Sequence, residues 1–350
     1  MSVSACILSP AGPSLSEDEA AFLRDVQPWG MILMGRSCQS VDQVRALVDA
    51  IHDALERQAL IFVDQEGGRV ARLKPPVWPK FPAAALYGDL YGSNAEAACR
   101  AAWLGHRLIA HELNGLGIRA DFSPVCDLRT LSTHDSIGDR AFAYTADAVI
   151  ALAGAALDGL TAGGVLGCLK HMPGQGRAQS DSHYALPKID ASKAELAADF
   201  SVFEALAPKS VMGLTAHVTY SSYDVEDAVT VSRDMIADVI RREIGFEGLL
   251  MTDDLGMEAL GGTLHNRGVR ARAAGCDILL HCSGFLSDPA KILTEMRDVA
   301  AAAGELVAES AERANRAMSA LTAPSDFDSQ QGWAEFDALL GGSVEGSAHV

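Results

Sequence analysis

Within fourteen residues, the segment Lys170-His171-Met172-Pro173-Gly174-Gln175-Gly176-Arg177-Ala178-Gln179-Ser180-Asp181-Ser182-His183 joins a basic pair, two glycines and an Asp-x-His pair. A carboxylate two residues before an imidazole can fix its tautomer and stabilise its charged form, which is the preparation a proton-transfer group needs. The glycines give the loop backbone freedom to carry that group into and out of a site. A second chemical segment is Leu249-Leu250-Met251-Thr252-Asp253-Asp254-Leu255-Gly256-Met257, where two carboxylates follow an apolar run. Successive strand side chains face opposite sides, so one of the two is expected to be catalytic and the other structural. Further ionisable residues follow other apolar runs: Asp64, Asp121 with Asp127, and His217.

Groups at the ends of several strands meet only if those strands are parallel and lie side by side. Short apolar runs at 30–33, 60–63, 118–122, 165–169, 211–215, 248–251 and 278–280 alternate with helical patterns, which is a β-α-β rhythm. Ser16-x-x-Glu19, Ser40-x-x-Gln43 and Ser192-x-x-Glu195 fit capping boxes, while Gly115 and Gly245 stand where helices should stop. These seven strands, with an eighth that has no assigned segment, predict a single (β/α)8 TIM-type barrel, an α/β fold, over residues 1–322. No G-x-G-x-x-G follows the first run, as a doubly wound dinucleotide fold would require. Past Ala323 the chain turns to Ser, Asp and Gly, so 323–350 reads as a C-terminal tail with one short helix at 333–340.

Bulk properties narrow the partners. Apolar residues make up 49% and charged residues 21% of 350, enough for a substantial core. With 46 acidic against 28 basic residues, the formal charge of −18 repels phosphate backbones and anionic lipid, so neither nucleic acid nor a membrane surface is an expected partner. A small molecule is the expected partner, and the chain is expected to be a monomer or a weak homo-oligomer. The seven cysteines are scattered without C-x-x-C spacing and read as small buried hydrophobes. With no export signal at residues 1–10 and no long apolar window, the expected location is a reducing cytoplasm.

The same residues resemble the family-3 glycoside hydrolases, and within them the single-domain bacterial β-N-acetylglucosaminidases of peptidoglycan recycling. Val63-Asp64-Gln65-Glu66-Gly67-Gly68-Arg69-Val70 is similar to the family's D-x-E-G-G-x-V, Lys170-His171-x-Pro173-Gly174-x-Gly176 to its K-H-F-P-G-H-G, and Asp181-Ser182-His183 to its D-S-H. The resemblance implies Asp253 as nucleophile and His183, supported by Asp181, as general acid/base. It implies Asp64, Arg140, Lys170, His171, His217 and Met257 as sugar-holding residues, with no metal and no organic cofactor. The implied reaction removes terminal β-linked N-acetylglucosamine (GlcNAc) with retention, from GlcNAc joined to 1,6-anhydro-N-acetylmuramic acid. A retaining hydrolase needs a proton donor on the leaving oxygen and a carboxylate on the opposite face of the sugar.

Met172, Gln175 and Arg177-Ala178 depart from the family loop, and Met34-Gly35-Arg36-Ser37 stands where the family has an aromatic-x-Arg-Asn pattern. Two other readings fit the residues. One is a metal-dependent barrel hydrolase using Asp64, His171, His217 and Asp253, although no H-x-H follows the first strand. The other is a sugar-binding barrel that has lost turnover, suggested by the loop departures. The loop at 174–187 is expected to stand displaced without ligand, because its polar residues have little to bury.

Overall fold

The computed structural model describes residues 2–223, 226–284, 286–306 and 308–342. Its strands are β1 Ser4–Leu8, β2 Pro28–Leu33, β3 Leu60–Val63, β4 Ala120–Asp121, β5 Leu166–Gly167, β6 Leu169–Met172, β7 Lys188–Ile189, β8 Met212–Thr215, β9 Thr219–Tyr220, β10 Leu249–Met251 and β11 Leu279–Leu280. One sheet runs β11-β1-β2-β3-β4-β5 and a second β10-β8-β6. Only Cys168 separates β5 from β6, which together make the fifth stave, and the parallel bridge Met251↔Ile278 joins β10 to the start of β11. The ring therefore closes as eight parallel staves, the (β/α)8 barrel expected from the sequence. β7 and β9 pair with each other outside the ring.

The strand without a segment is β1. Its Ser4-Ala5-Cys6-Ile7-Leu8 is buried throughout and pairs with both β2 and β11. Every later stave moves up by one: Asp64 follows the third, Lys170 lies on the fifth, His217 follows the sixth and Asp253 the seventh. Lys170 and His171 also sit within β6 rather than beyond its end. The strands of the ring are buried throughout, as a parallel sheet covered by helices requires, and β1, β2, β3 and β10 are accordingly short runs of mainly apolar residues.

The helices are α1 Glu17–Val26, α2 Val41–Leu55, α3 Ala84–Tyr91, α4 Ala95–Asn114, α5 Ala146–Ala162, α6 Lys193–Leu206, α7 Leu264–Ala274, α8 Pro289–Ala303, α9 Ala308–Ser319 and α10 Ser329–Leu339; the π-helical segment Met235–Glu243 lies between β8 and β10 in the chain. Ser16/Glu19 and Ser192/Glu195 form reciprocal capping boxes on α1 and α6. Ser40 caps α2 through the Gln43 N–H, but the Gln43 carboxamide bonds Gln39, Pro13 and Ser37 instead of returning to Ser40. An amide, which both donates and accepts, can serve several backbone groups at once. α10 begins four residues before the expected helix and packs on the barrel: Trp333 stacks on Phe81 at 5.3 Å, and Glu335 pairs with Arg100 at 2.7 Å.

Among the described residues no helix is long and apolar enough to cross a membrane. The cysteines are free thiols, and five are buried. Burial pushes the Cys6 thiol up to about 12, which suits a packing rather than a reactive role.

Candidate active site

A cavity of about 410 Å³ opens among the loops that follow the staves. Asp64, Arg140, Lys170, His171, Asp181, His183, Asp253 and Met257 all line it. Of the expected site residues, only His217 does not. Its ring is fully buried, with Nε2 donating to the Asp254 carbonyl at 3.1 Å and Nδ1 accepting from the Thr230 hydroxyl at 2.7 Å. Burial holds its pKa below the ordinary histidine value. His217 therefore braces the backbone beside Asp253 and Asp254; it is not placed to touch a sugar. With both nitrogens engaged, it is also not placed as a ligand in the metal-dependent reading, and among the described residues no group of three or more His, Cys, Asp or Glu side chains is arranged to hold a metal ion.

One wall is a charged array. Asp64 accepts from Arg72 Nη2 at 2.8 Å and lies 3.4 Å from Lys170 Nζ. Glu66 takes a two-pronged bond from Arg140, 2.8 Å on each side, and its Oε1 lies 2.5 Å from Lys170 Nζ. Burial alone would push both carboxyls up. The charges of Arg140 and Lys170 outweigh it at Glu66, and those of Arg72 and Lys170 at Asp64, so both are held below the ordinary carboxylate range. The geometry depends on a tight turn: Gly67 has φ +94°, and a Cβ there would lie 2.3 Å from the Pro82 carbonyl oxygen. Burial pushes the Asp121 carboxyl, which accepts the Gln65 N–H at 2.9 Å, up to about 8.

The base of the cavity carries two residues with different duties. Asp253 sits just past β10, with Oδ1 accepting the Asp254 N–H at 2.8 Å and Oδ2 lying 4.0 Å from His171 Nε2. His171 is oriented by Asp127, whose Oδ2 lies 2.6 Å from Nδ1. Asp254 also borders the cavity, but its carboxylate is engaged by the protein: its Oδ1 accepts the N–H groups of Gly256 at 2.9 Å and Cys282 at 3.0 Å and lies 3.3 Å from His281 Nδ1. The two carboxylates thus differ in their bonding: Asp253 accepts one backbone N–H, whereas Asp254 accepts two and faces His281.

His281 is buried between Asp254 and Glu295, with Nε2 2.9 Å from Glu295. Burial opposes its charge, but the two carboxylates outweigh burial and raise its pKa from 6.5 to about 9. A histidine whose pKa is raised by folding adds stability that is fully present below about 6.5 and is lost as the pH rises through about 9. The melting temperature should therefore fall between pH 7 and pH 9. Glu295→Gln should flatten that fall, the difference corresponding to about 1 to 3 kcal/mol. Parallel pH curves for wild type and variant, by scanning calorimetry, would remove His281 as the cause.

The third wall is the loop after β6. His183 Nδ1 lies 2.7 Å from Asp181 Oδ1, which also accepts the His183 backbone N–H at 3.0 Å. Burial would raise the Asp181 carboxyl; these two hydrogen bonds outweigh it and hold it below its ordinary value. Contrary to the expected displacement, the loop is docked. The Glu258 N–H donates to the His183 carbonyl and the Ala259 N–H to the Ser182 carbonyl, both at 3.2 Å. The departures from the family loop are anchors: Arg177 bonds Asp199 at 2.7 Å, and Ala178 is fully buried. Gly176 is there for close approach, since a Cβ would lie 1.9 Å from the Leu128 carbonyl oxygen. Arg36 ties β1, β2 and β11 together through Pro10, Ser9, Cys282 and Ser283, and Met34 lines the cavity.

Three residues of the site were not anticipated as such: Glu66, Arg72 and Asp127. Glu66 lies inside the quoted motif and Asp127 was noted beside the strand end. Arg72 carried no signal beyond its presence in the same loop.

A closed barrel whose mouth holds the Asp253 carboxylate, an Asp-supported histidine and a charged hydrogen-bonding wall belongs to the class of carbohydrate-cleaving (β/α)8 enzymes. Residues 3–317 match the Glycosyl hydrolase family 3 N terminal domain. The chain belongs to that family and is a glycoside hydrolase, as the motif resemblance implies. It is similar to the beta-hexosaminidase of Alkalilimnicola ehrlichii, 39% identical over 278 residues covering 78% of each chain. It is also similar to that of Bordetella pertussis, 34% identical over 325 residues, 92% of this chain and 89% of the relative. NagZ from Neisseria gonorrhoeae, solved in complex with N-trifluoroacetyl-D-glucosamine, shares the fold with a TM-score of 0.80 and 30% identity, over 97% of this chain and 99% of that one.

Proposed function

We propose that this glycoside hydrolase is an exo-acting, retaining β-N-acetylglucosaminidase. It releases terminal non-reducing GlcNAc from cytoplasmic cell-wall fragments of the GlcNAc-1,6-anhydro-N-acetylmuramic acid type. The observation that carries the reading is one cavity lined by the Asp253 carboxylate, the His183-Asp181 pair and the Asp64/Glu66/Lys170/Arg140 array. Relatives named beta-hexosaminidase, and a structural neighbour holding a glucosamine derivative, support the substrate class. In this reading residues 1–322 are the catalytic barrel and 323–350 an appendage.

In the first step Asp253 attacks the anomeric carbon while His183 Nε2–H gives its proton to the departing glycosidic oxygen. The C1–O bond to the leaving group breaks as the C1–O bond to Asp253 forms. In the second step His183, now neutral, takes a proton from water, whose oxygen attacks C1 and frees Asp253. Two displacements return the original anomeric configuration. Asp181 keeps the Nδ1 proton in place through both. The charged array binds sugar hydroxyls with groups already ionised and oriented, so nothing has to reorganise as charge develops at the ring.

A chromogenic β-GlcNAc glycoside, with the first-formed anomer followed by NMR, tests activity and stereochemistry together. No hydrolysis leaves a binding barrel, an inverted product overturns the mechanism, and activity lost to a strong chelator supports the metal-dependent alternative. Within the array, Asp64→Ala or Lys170→Ala should reduce kcat/KM by about 2 to 4 kcal/mol, because each leaves a desolvated charge without its partner. The loss should be the same for good and poor leaving groups. Wild-type kinetics in either variant would take that residue out of the sugar-binding wall.

A further inference from the structure

Gln175 stands where the family loop has a histidine, and no step of the proposed mechanism uses it. It is 3% exposed yet lines the sugar cavity. Its backbone N–H donates to Asp127 Oδ1 at 2.6 Å, and the other oxygen of Asp127 orients His171. Its side-chain Nε2 donates to Ser182 Oγ at 3.2 Å. Ser182 is itself buried and separates Asp181 from His183. Gln175 thus touches both the residue that holds His171 and the residue between the two members of the Asp181-His183 pair. Its remaining amide atom, Oε1, is buried without a protein partner. Buried acceptors in folded proteins are satisfied in nearly every case, so an unsatisfied one on a cavity wall points to a donor brought by a ligand.

We propose that Gln175 is a positioning residue for His183: its amide N–H holds Ser182, and its carbonyl takes a hydrogen bond from a hydroxyl or the acetamido N–H of the bound N-acetylated sugar. One side chain then registers the sugar and fixes the loop that must protonate the leaving oxygen. A glutamine suits this task because it offers a donor at one end and an acceptor at the other, whichever way the amide is turned, and does not compete for the proton. The inference rests on His183 being the general acid/base.

The test compares a GlcNAc glycoside with a poor, alkyl leaving group and one with an activated aryl leaving group, in Gln175→Leu, Gln175→His, Ser182→Ala and His183→Ala. Gln175→Leu should lower kcat on the poor leaving group by roughly 10- to 100-fold, the cost of slightly misplacing a catalytic group, with a much smaller loss on the aryl glycoside. It should also weaken inhibition by free GlcNAc several-fold. Ser182→Ala, which removes the same hydrogen bond from the other side, should reproduce the leaving-group difference without the loss in GlcNAc binding, even if Gln175→Leu folds poorly. Gln175→His should restore part of the difference. Equal losses on both substrates, or none, in Gln175→Leu and Ser182→Ala while His183→Ala discriminates strongly would overturn this inference alone. If His183→Ala fails to discriminate, the acid/base reading falls and this inference with it.

Discussion

Asp253→Asn is expected to lower kcat by roughly 10⁴- to 10⁶-fold, the scale seen when a covalent nucleophile is removed from an otherwise intact site, with little change in melting temperature. The asymmetry between the two adjacent carboxylates is the reason. Asp253 takes one backbone hydrogen bond from within the protein and turns the rest of its carboxylate to the cavity. Its removal costs the fold little. Asp254 instead accepts two backbone N–H groups and faces His281. Removing it leaves those buried donors unsatisfied, at about 1 to 3 kcal/mol each. Asp254→Ala should therefore lower the melting temperature strongly, and its activity should fall through lost folded protein. A slow-turnover 2-fluoro glycoside followed by peptide mapping separates the two: the sugar should be found on Asp253. Label on Asp254, or near-normal turnover by Asp253→Asn, would reverse the assignment.

How much of this was legible beforehand depends on whether the cause is local. The β10 run, the Asp253-Asp254 pair and the Asp181-x-His183 contact are local, so residue type and spacing were enough. β1 was missed because Ser4-Ala5-Cys6 is made of small residues and draws its identity from two parallel neighbours, one of them the distant β11. The expected strand over 118–122 shrinks to two residues in β4, and Pro124, which has no N–H to donate, follows close behind. The Arg140-Glu66 pair joins residues 74 apart, and the His171-Asp127 pair joins residues 44 apart. Motifs contain Glu66 and His171, but which residue each side chain pairs with is left to the fold. His217 lies outside the cavity lining for a related reason. A histidine after a stave is placed at the barrel mouth by topology, but the ring turns toward Thr230 and the Asp254 carbonyl, and no spacing rule carries that direction. Gly174 and Gly176 were read as freedom of movement, yet the Leu128 carbonyl oxygen fills the place of a Cβ at 176, so that glycine secures the loop against its neighbour.

Because the loop is anchored at Arg177, Gly176 and the two backbone bonds to Glu258 and Ala259, His183 should act from a held position, and its removal should read out as missing proton transfer. His183→Ala is expected to cost about 10² to 10⁴ in kcat on substrates whose leaving oxygen must be protonated. On aryl glycosides whose leaving group departs as a stable anion, the first step needs no proton, so bond breaking should proceed near the wild-type rate. The glycosyl-enzyme should then accumulate, because the second step still lacks its base, and a burst of released phenol should precede a slow steady state. Asp181→Ala should show the same pattern more mildly: the imidazole remains, but without the 2.7 Å contact that fixes its Nδ1 proton. The decisive measurement is a pre-steady-state trace on both substrate types. Burst kinetics on the activated glycoside, with a steep dependence on leaving-group pKa, supports the dyad; equal losses on both substrates with no burst would make His183 a sugar-binding residue and leave the leaving oxygen without a proton donor from this loop.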